Sequence, residues 1–384
     1  MSKVGDEMQA VGMVVEFNPF HNGHAYYVQQ AKKQTGADVA VAVMSGNFTQ
    51  RGEPTIVDKW ERTRAALANG VDLVVELPLY FACQPAHRFA AGALALLDQL
   101  QVPTVAFGAE HPQRDFKKLV RLAADFDQAA LKQYNATYAT QFNDQLAQQT
   151  GVSLKAPNDI LAFAYNKAVL DHHYQMRLVP IQRVGSNYHD QVITGRIASA
   201  SAIREAVDQH ASFAEAVPGE MGAALRQLVS VPAWDDLYPL LRNQLIQAPL
   251  ESLRQTYQMA EGLEFRLKAA AQQALGFDQF IHAIKTKRYT YAHLIRLCLY
   301  TTLQLTEGEL AWHAAHPYIH ILGFNRRGQE YLHQVKKQVE IPLFTKVSQQ
   351  MRDRLYNVDY RAGKLYQTFT PVEQDLKHAP VIWR

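Results

Sequence analysis

Short apolar runs alternate with amphipathic stretches through the first half of the chain. Residues 10–17 form an apolar run interrupted only by Glu16, as expected of a strand buried on both faces of a sheet. Residues 25–33 then carry helical periodicity. The pattern repeats: runs at 38–44, 73–77, 102–107 and 176–181 predict four more strands. Helices are predicted at 58–69, with Asp58 as N-cap and Gly70 as stop, and at about 86–100. Strands alternating with helices give a parallel sheet covered on both faces, and ligands in such sheets bind at the carboxyl ends of the strands. The expected class is α/β, with a Rossmann-like parallel-sheet domain over residues 1–210. Beyond about 207 the pattern changes. Residues 211–222, with Pro218 and Gly219, read as a connection, and 250–275 and 291–305 carry helical periodicity. Residues 211–384 are therefore expected to be mainly helical, with a short strand near 319–323. There is no internal repeat.

Composition narrows this little. The chain has 384 residues, 48% hydrophobic and 20% charged, with a formal net charge of +3, so no global basicity announces a polyanionic partner. Cys83 and Cys298 lie in apolar segments without metal-like spacing and are expected to be buried thiols. No charged-then-apolar leader opens the chain and no apolar run is long enough to span a bilayer. The expectation is a cytoplasmic protein without a membrane partner or a resident metal site.

The chemistry concentrates in the turn His21-Asn22-Gly23-His24, between the first strand and the first helix. Free N–H groups at a helix N-terminus favour anions. Two imidazoles beside them can donate to the oxygens of a phosphate under attack, which stabilises the transition state more than the ground state. The bland alternative is a helix-capping turn with exposed histidines. A second helix start, Ser199-Ala200-Ser201-Ala202-Ile203-Arg204, sets two hydroxyls and a guanidinium at another helix N-terminus. Ser199 or Ser201 is then either an N-cap or part of a second phosphate cradle, and the two cradles together would grip a nucleoside triphosphate.

These two motifs resemble the nucleotidylyltransferase superfamily. The stretches at 14–24, 44–54 and 197–204 resemble, more closely, the bacterial tRNA(Met) cytidine acetate ligases. That resemblance implies ATP-dependent activation of acetate as acetyl-adenylate, then acetylation of N4 of the wobble cytidine in elongator tRNA(Met). It implies His21, His24 and Arg204 as the charge-stabilising residues, with Mg²⁺ on the phosphates. The family's ATP stretch falls on Val14, Val15, Glu16, Phe17, Asn18, Pro19, Phe20, His21, Asn22, Gly23, His24, Ala25, Tyr26 and Tyr27. Further nucleotide positions fall on Gly108, Asn158, Arg183 and Val184, joined by Ser199 and Ser201. Read alone, Gly108 is either a close approach to adenine or ribose or an ordinary strand-ending glycine. Asn158 reads a base or ribose edge or caps a helix, and Arg183 neutralises phosphate or pairs with a surface acid.

Residues 47–54 are long for a connection in a compact sheet, as functional loops often are. They are expected over the pocket, with Arg51 and Lys59 as candidates for holding a carboxylate or reaching tRNA. His189-Asp190 is a pair that would orient a proton acceptor or hold the loop before Ser199. Residues 285–296 contain Lys285, Lys287, Arg288 and Arg296, no acid, and interleaved tyrosines. Cations for phosphate and aromatic faces for unpaired bases make this the expected tRNA contact; the alternative is a solvated basic helix start. Two other functions compete: an adenylyltransferase acting on a small phosphorylated metabolite, and a non-catalytic RNA-binding protein on the same fold.

Overall fold

The computed structural model describes residues 7–124, 126, 137–183, 193, 195–260 and 262–384. Five strands form as the apolar runs dictate: β1 (Ala10–Val15), β2 (Val39–Ser45), β3 (Leu73–Leu77), β4 (Thr104–Ala109) and β5 (Arg177–Gln182). They are mutually parallel in the order β5-β4-β1-β2-β3. Strand order therefore reverses beside β1, and the crevice at its carboxyl end is where such sheets bind ligands.

Three strands from the far end of the chain complete the sheet. β6 (Ile319–Phe324) pairs antiparallel with β3, and β7 (Leu343–Phe344) and β8 (Val381–Ile382) pair parallel with β6. The short strand expected near 319–323 is thus present. It covers the edge that β3 would otherwise expose.

Alternation along the strands assigns the two faces. Val39, Val41 and Val43 pack into one core with helices Ala86–Gln99 and Pro157–Asp171. Ala40, Ala42 and Met44 face the other core, with helices Asn22–Thr35, Lys59–Ala68 and Ala200–Asp208. A third core unites Trp234–Gln247, Leu263–Gln273, Phe277–Ile284, Tyr291–Thr302 and Asn357–Tyr366.

Local predictions are sharpened in four places. Asp58 caps Lys59–Ala68, its Oδ1 accepting the Trp60 and Glu61 N–H groups. β4 starts two residues later than the apolar run, so Gly108 lies inside it, paired with Ile181, instead of closing it. The helix expected over 250–275 is two helices, Leu250–Arg254 and Leu263–Gln273, interrupted by left-handed backbone at Gln258 and Gly262. The connection at 211–222 contains a 3₁₀ turn, Ala214–Ala216, and Pro218 starts the helix Gly219–Arg226. Cys83 and Cys298 are buried and unbridged. Among the described residues, no helix is long and apolar enough to cross a membrane.

Candidate active site

β1 delivers the histidine turn to the crevice. Phe17, with φ of 50°, bends the chain out of the strand in a left-handed conformation that costs free energy for a bulky residue. The Asn18 side chain accepts the Ile56 N–H at 2.7 Å, and the Asn22 side chain donates to the carbonyls of Arg196 and Glu215, both at 2.8 Å. His21 becomes the N-cap of Asn22–Thr35, and the first-turn N–H groups of Asn22 and Gly23 have no intrahelical carbonyl to bond.

The two imidazoles stack, with centroids 3.7 Å apart, and Phe17 and Phe20 contact His24 from the side. His24 Nδ1 accepts the His21 N–H at 3.3 Å, which places the His24 ring proton on Nε2; the Pro19 carbonyl is a further partner of that ring. His21 is buried and its Nδ1 has no partner, an orphan that a ligand would satisfy. Burial, reinforced by Arg183 and Arg204, lowers the His21 pKa to about 3. Burial, His21 and Arg183 lower that of His24 well below its ordinary value. Both rings are neutral and poised to gain a charged partner. Gly23 is required by His21 itself: a Cβ there would sit 2.8 Å from His21 Cε1.

The second helix start closes on the first. Ser199 caps Ala200–Asp208, its Oγ accepting the Ala202 N–H at 3.0 Å, so its hydroxyl already serves the helix; Ser201 follows in the first turn, half-buried. Arg204 Nη1 donates to the Asn18 carbonyl at 2.7 Å, bringing its charge onto the turn. Arg183 follows β5, and its side chain runs past Gly108, the Cγ lying 3.6 Å from where a Cβ would be. Gly108 thus gives room to Arg183. Val184 lies outside the described residues, as do Tyr188, His189 and Asp190. Asn158 is in the first turn of Pro157–Asp171 and donates to Glu110 at 2.7 Å, while Glu110 also accepts the Asp159 N–H at 3.0 Å. Glu110 follows β4 on the same rim; a single acid after a strand carries no motif that would have singled it out. Tyr27 donates to the Ala106 carbonyl at 2.7 Å, binding the first helix to β4.

Loop 47–54 is held from both sides. Glu16 Oε1 accepts the Gln50 N–H at 2.6 Å, and burial raises the Glu16 pKa. On the helical side, Trp234 Nε1 donates to the Gly52 carbonyl at 3.0 Å, and Arg296 Nη1 reaches the Gln50 carbonyl at 3.5 Å. Arg62, fully buried, donates to the carbonyls of Glu16 and Ser45 at 2.8 and 2.9 Å and also to that of Gly46, tying the ends of β1 and β2 together. Nothing in the helical pattern around Arg62 marks it for that role.

Two expectations need correction. Arg296 is only 6% exposed and braces loop 47–54 from beneath, so its charge is not presented to an RNA surface. Lys59 is 1% exposed and locked to Glu76 and Asp375 at 2.8 and 2.6 Å, so it reaches neither a carboxylate ligand nor tRNA. Lys285 and Lys287 are exposed and Arg288 is half-buried. They lie in the connection between Phe277–Ile284 and Tyr291–Thr302, not at a helix start.

A cavity of about 670 Å³ opens beside Asn22, lined also by Arg196, Glu215 and Glu220, but its walls include neither His21 nor His24. Among the described residues no group of three or more His, Cys, Asp and Glu side chains converges as a metal site.

A parallel sheet with a crevice at β1, two facing helix N-termini, two stacked neutral histidines and two arginines define a nucleotidyltransferase-type α/β protein. The HIGH Nucleotidyl Transferase profile matches residues 8–379. The tRNA(Met) cytidine acetate ligase of Limosilactobacillus reuteri is 64% identical over 98% of this chain and 100% of its own length. That of Limosilactobacillus fermentum is 58% identical over 97% of this chain and 99% of its own. The apo crystal structure of Thermotoga maritima TmcAL superposes with a TM-score of 0.89 at 29% identity, covering 98% of this chain and 100% of that one. The same Thermotoga protein bound with alpha-thio ATP gives 0.87. The chain belongs to the tRNA(Met) cytidine acetate ligase family of HIGH nucleotidyltransferases.

Proposed function

We propose that the chain activates acetate with ATP and transfers the acetyl group to N4 of the wobble cytidine of elongator tRNA(Met). The observation that carries this reading is the stacked His21–His24 pair, held neutral beneath Arg183 and Arg204 at the start of a helix. Acetate attacks the α-phosphate of ATP and pyrophosphate leaves. Charge growing on the non-bridging oxygens is met by the imidazole donors, the helix N–H groups and the guanidiniums, groups already oriented before the reaction begins. Gly108 and Asn158 on the adjoining rim would meet adenine or ribose, with Glu110 holding the Asn158 side chain. Mg²⁺ would arrive on the ATP phosphates and would neutralise phosphate charge.

The tRNA side of this reading rests on Lys285, Lys287 and Arg288, with Tyr289 and the half-exposed Tyr291 among them. Tyr291 lies within electrostatic reach of Arg51 and Glu53, so that connection adjoins loop 47–54 and leads from the helical region toward the crevice. Residues 211–384 would carry the tRNA.

Incubation with ATP, labelled acetate and tRNA(Met) is the direct test, with N4-acetylcytidine, AMP and pyrophosphate expected; no acetylated cytidine from active, folded protein overturns the reading. Pyrophosphate exchange supported only by a phosphorylated acceptor would identify an adenylyltransferase instead. Within the reading, His21→Ala or His24→Ala should each lower acetate-dependent ATP–pyrophosphate exchange by about 10²–10³-fold, the loss seen when one preorganised oxyanion donor is removed.

A further inference from the structure

The second half-reaction needs a proton acceptor. Cytidine N4 is a weak nucleophile whose lone pair is delocalised into the ring. As it attacks the acetyl carbonyl, an N–H proton becomes acidic and must leave. Neither histidine is well placed to take it. His24 Nδ1 is occupied by the His21 N–H, and burial with Arg183 and Arg204 beside it lowers the His21 pKa to about 3, which leaves that ring a weak base. Of the acids on the rim, Glu110 spends both oxygens on Asn158 and Asp159.

Glu16 is different. It is the first residue after β1, at the point where strand order reverses, and so lies at the base of the ligand crevice. Its Oε1 is fixed by the Gln50 N–H at 2.6 Å, which sets the orientation of the carboxylate. Among the described residues Oε1 is the carboxylate oxygen that carries a hydrogen bond, and the residue is half-buried. The charged and titratable groups facing it are Arg51 and Glu53 from loop 47–54, Arg62, Cys83, Tyr165 and Arg204. It therefore stands between the arginine at the phosphate cradle and the loop that leads toward the basic, tyrosine-rich connection.

We propose that Glu16 is the general base of acetyl transfer, its second oxygen taking the proton from cytidine N4. This rests on the ligase reading above. The N4–C bond forms, the acyl C–O bond to AMP breaks with its electron pair leaving on the AMP phosphate, and the N4 proton passes to Glu16 and then to solvent. A carboxyl raised by burial is a stronger base than an exposed one, which favours this proton transfer.

Glu16→Gln tests the assignment, because glutamine keeps an oxygen for the Gln50 N–H and removes the base. Acetate-dependent ATP–pyrophosphate exchange and acetyl transfer to tRNA(Met) are measured on the same preparation. Transfer should fall relative to exchange by ~10²-fold or more, the usual contribution of a general base. Parallel loss of both rates would overturn the proposal and make Glu16 a nucleotide-positioning residue; a transfer-to-exchange ratio within about threefold of wild type would overturn it too. Absence of acetate-dependent exchange in wild type would instead count against the ligase reading. A second measurement needs no variant: single-turnover transfer by the wild-type enzyme, from acetyl-adenylate formed beforehand, followed against pH. The rate should fall on the acid side with a midpoint above the ordinary glutamate value of about 4.3. A transfer rate flat through that range overturns the proposal.

Discussion

His21 is a residue whose folding and function pull in one direction. Excluding water from its ring, with Arg183 and Arg204 adding like charge, keeps it unprotonated to about pH 3, while in the unfolded chain it titrates near 6.5. Above 6.5 both states are neutral and the full stability is present. Between 6.5 and 3 the unfolded chain binds the proton and the folded one does not, so stability falls as pH falls. One such histidine contributes a slope of up to about 1.4 kcal/mol per pH unit. His24 shifts the same way. Denaturant titrations at pH 7.5, 6 and 5 should therefore show a steeper acid loss for wild type than for His21→Asn. Saturating ATP should flatten the wild-type slope, because a phosphate beside the ring favours the protonated form. Equal slopes in wild type and variant would show that His21 titrates alike in both states. Gly23 belongs to the same device: its missing Cβ leaves the space that the His21 ring occupies, so the spacing of the turn is as much about placing histidine as about approaching a ligand.

At the scale of elements, loop 47–54 joins the nucleotide crevice to the helical region. Gly52 has φ of 84°, and a Cβ there would lie 3.0 Å from the backbone Cα of Arg296, with no flexible side chain able to yield. Gly52→Ala should destabilise the protein by about 1–3 kcal/mol, the range for a residue forced into an unfavourable backbone conformation, read as a lowered Tm. A variant melting with wild type would mean the loop shifts freely. The strands, the Asp58 cap and the length of this loop were all legible in the sequence, because each is a local pattern: alternation, a capping residue, too many residues for a tight turn. What grips the loop was not legible. Glu16 lies 34 residues from Gln50, Trp234 lies 182 from Gly52, and Arg296 lies 246 from Gln50. The same limit misled the reading of Arg296. Its basic, tyrosine-rich neighbourhood resembles an RNA contact, but it follows Tyr291–Thr302 inward, among Leu294, Ile295 and Leu297 on the buried side. The histidine turn could be read early because a strand end and a helix start flank it in sequence; Arg183 and Arg204 were named as candidates too, but their approach to the turn depends on the packing of β5 and of Ala200–Asp208.

Across the whole molecule, the amino- and carboxyl-terminal halves are joined by a buried cluster of charge. Lys59 Nζ donates to Glu76 at 2.8 Å, Asp375 at 2.6 Å and the Tyr356 hydroxyl at 2.9 Å. Glu76 in turn accepts from Tyr356 and lies 2.6 Å from His320 Nδ1. Lys59 and Glu76 come from the first half of the chain; His320, Tyr356 and Asp375 belong to the segment that adds β6 to the edge of β3. Burial alone would discharge Lys59, but Asp375 and Glu76 raise its pKa and keep it ionised. Such a cluster is weak evidence of net stabilisation, since removing several charges from water costs nearly what their attraction returns. Breaking it on one side is another matter. Lys59→Met strands two carboxylates in the interior and should cost about 3–5 kcal/mol. Adding Asp375→Asn, which removes one of the stranded charges, should recover part of that loss, because residues in one network do not contribute additively. The cycle of the two single variants and the double variant, measured by urea unfolding, decides the question. A Lys59→Met cost near zero, or a double variant as unstable as the sum of the singles, would mean that the halves are held together by the β3–β6 pairing and the apolar cores without help from this cluster.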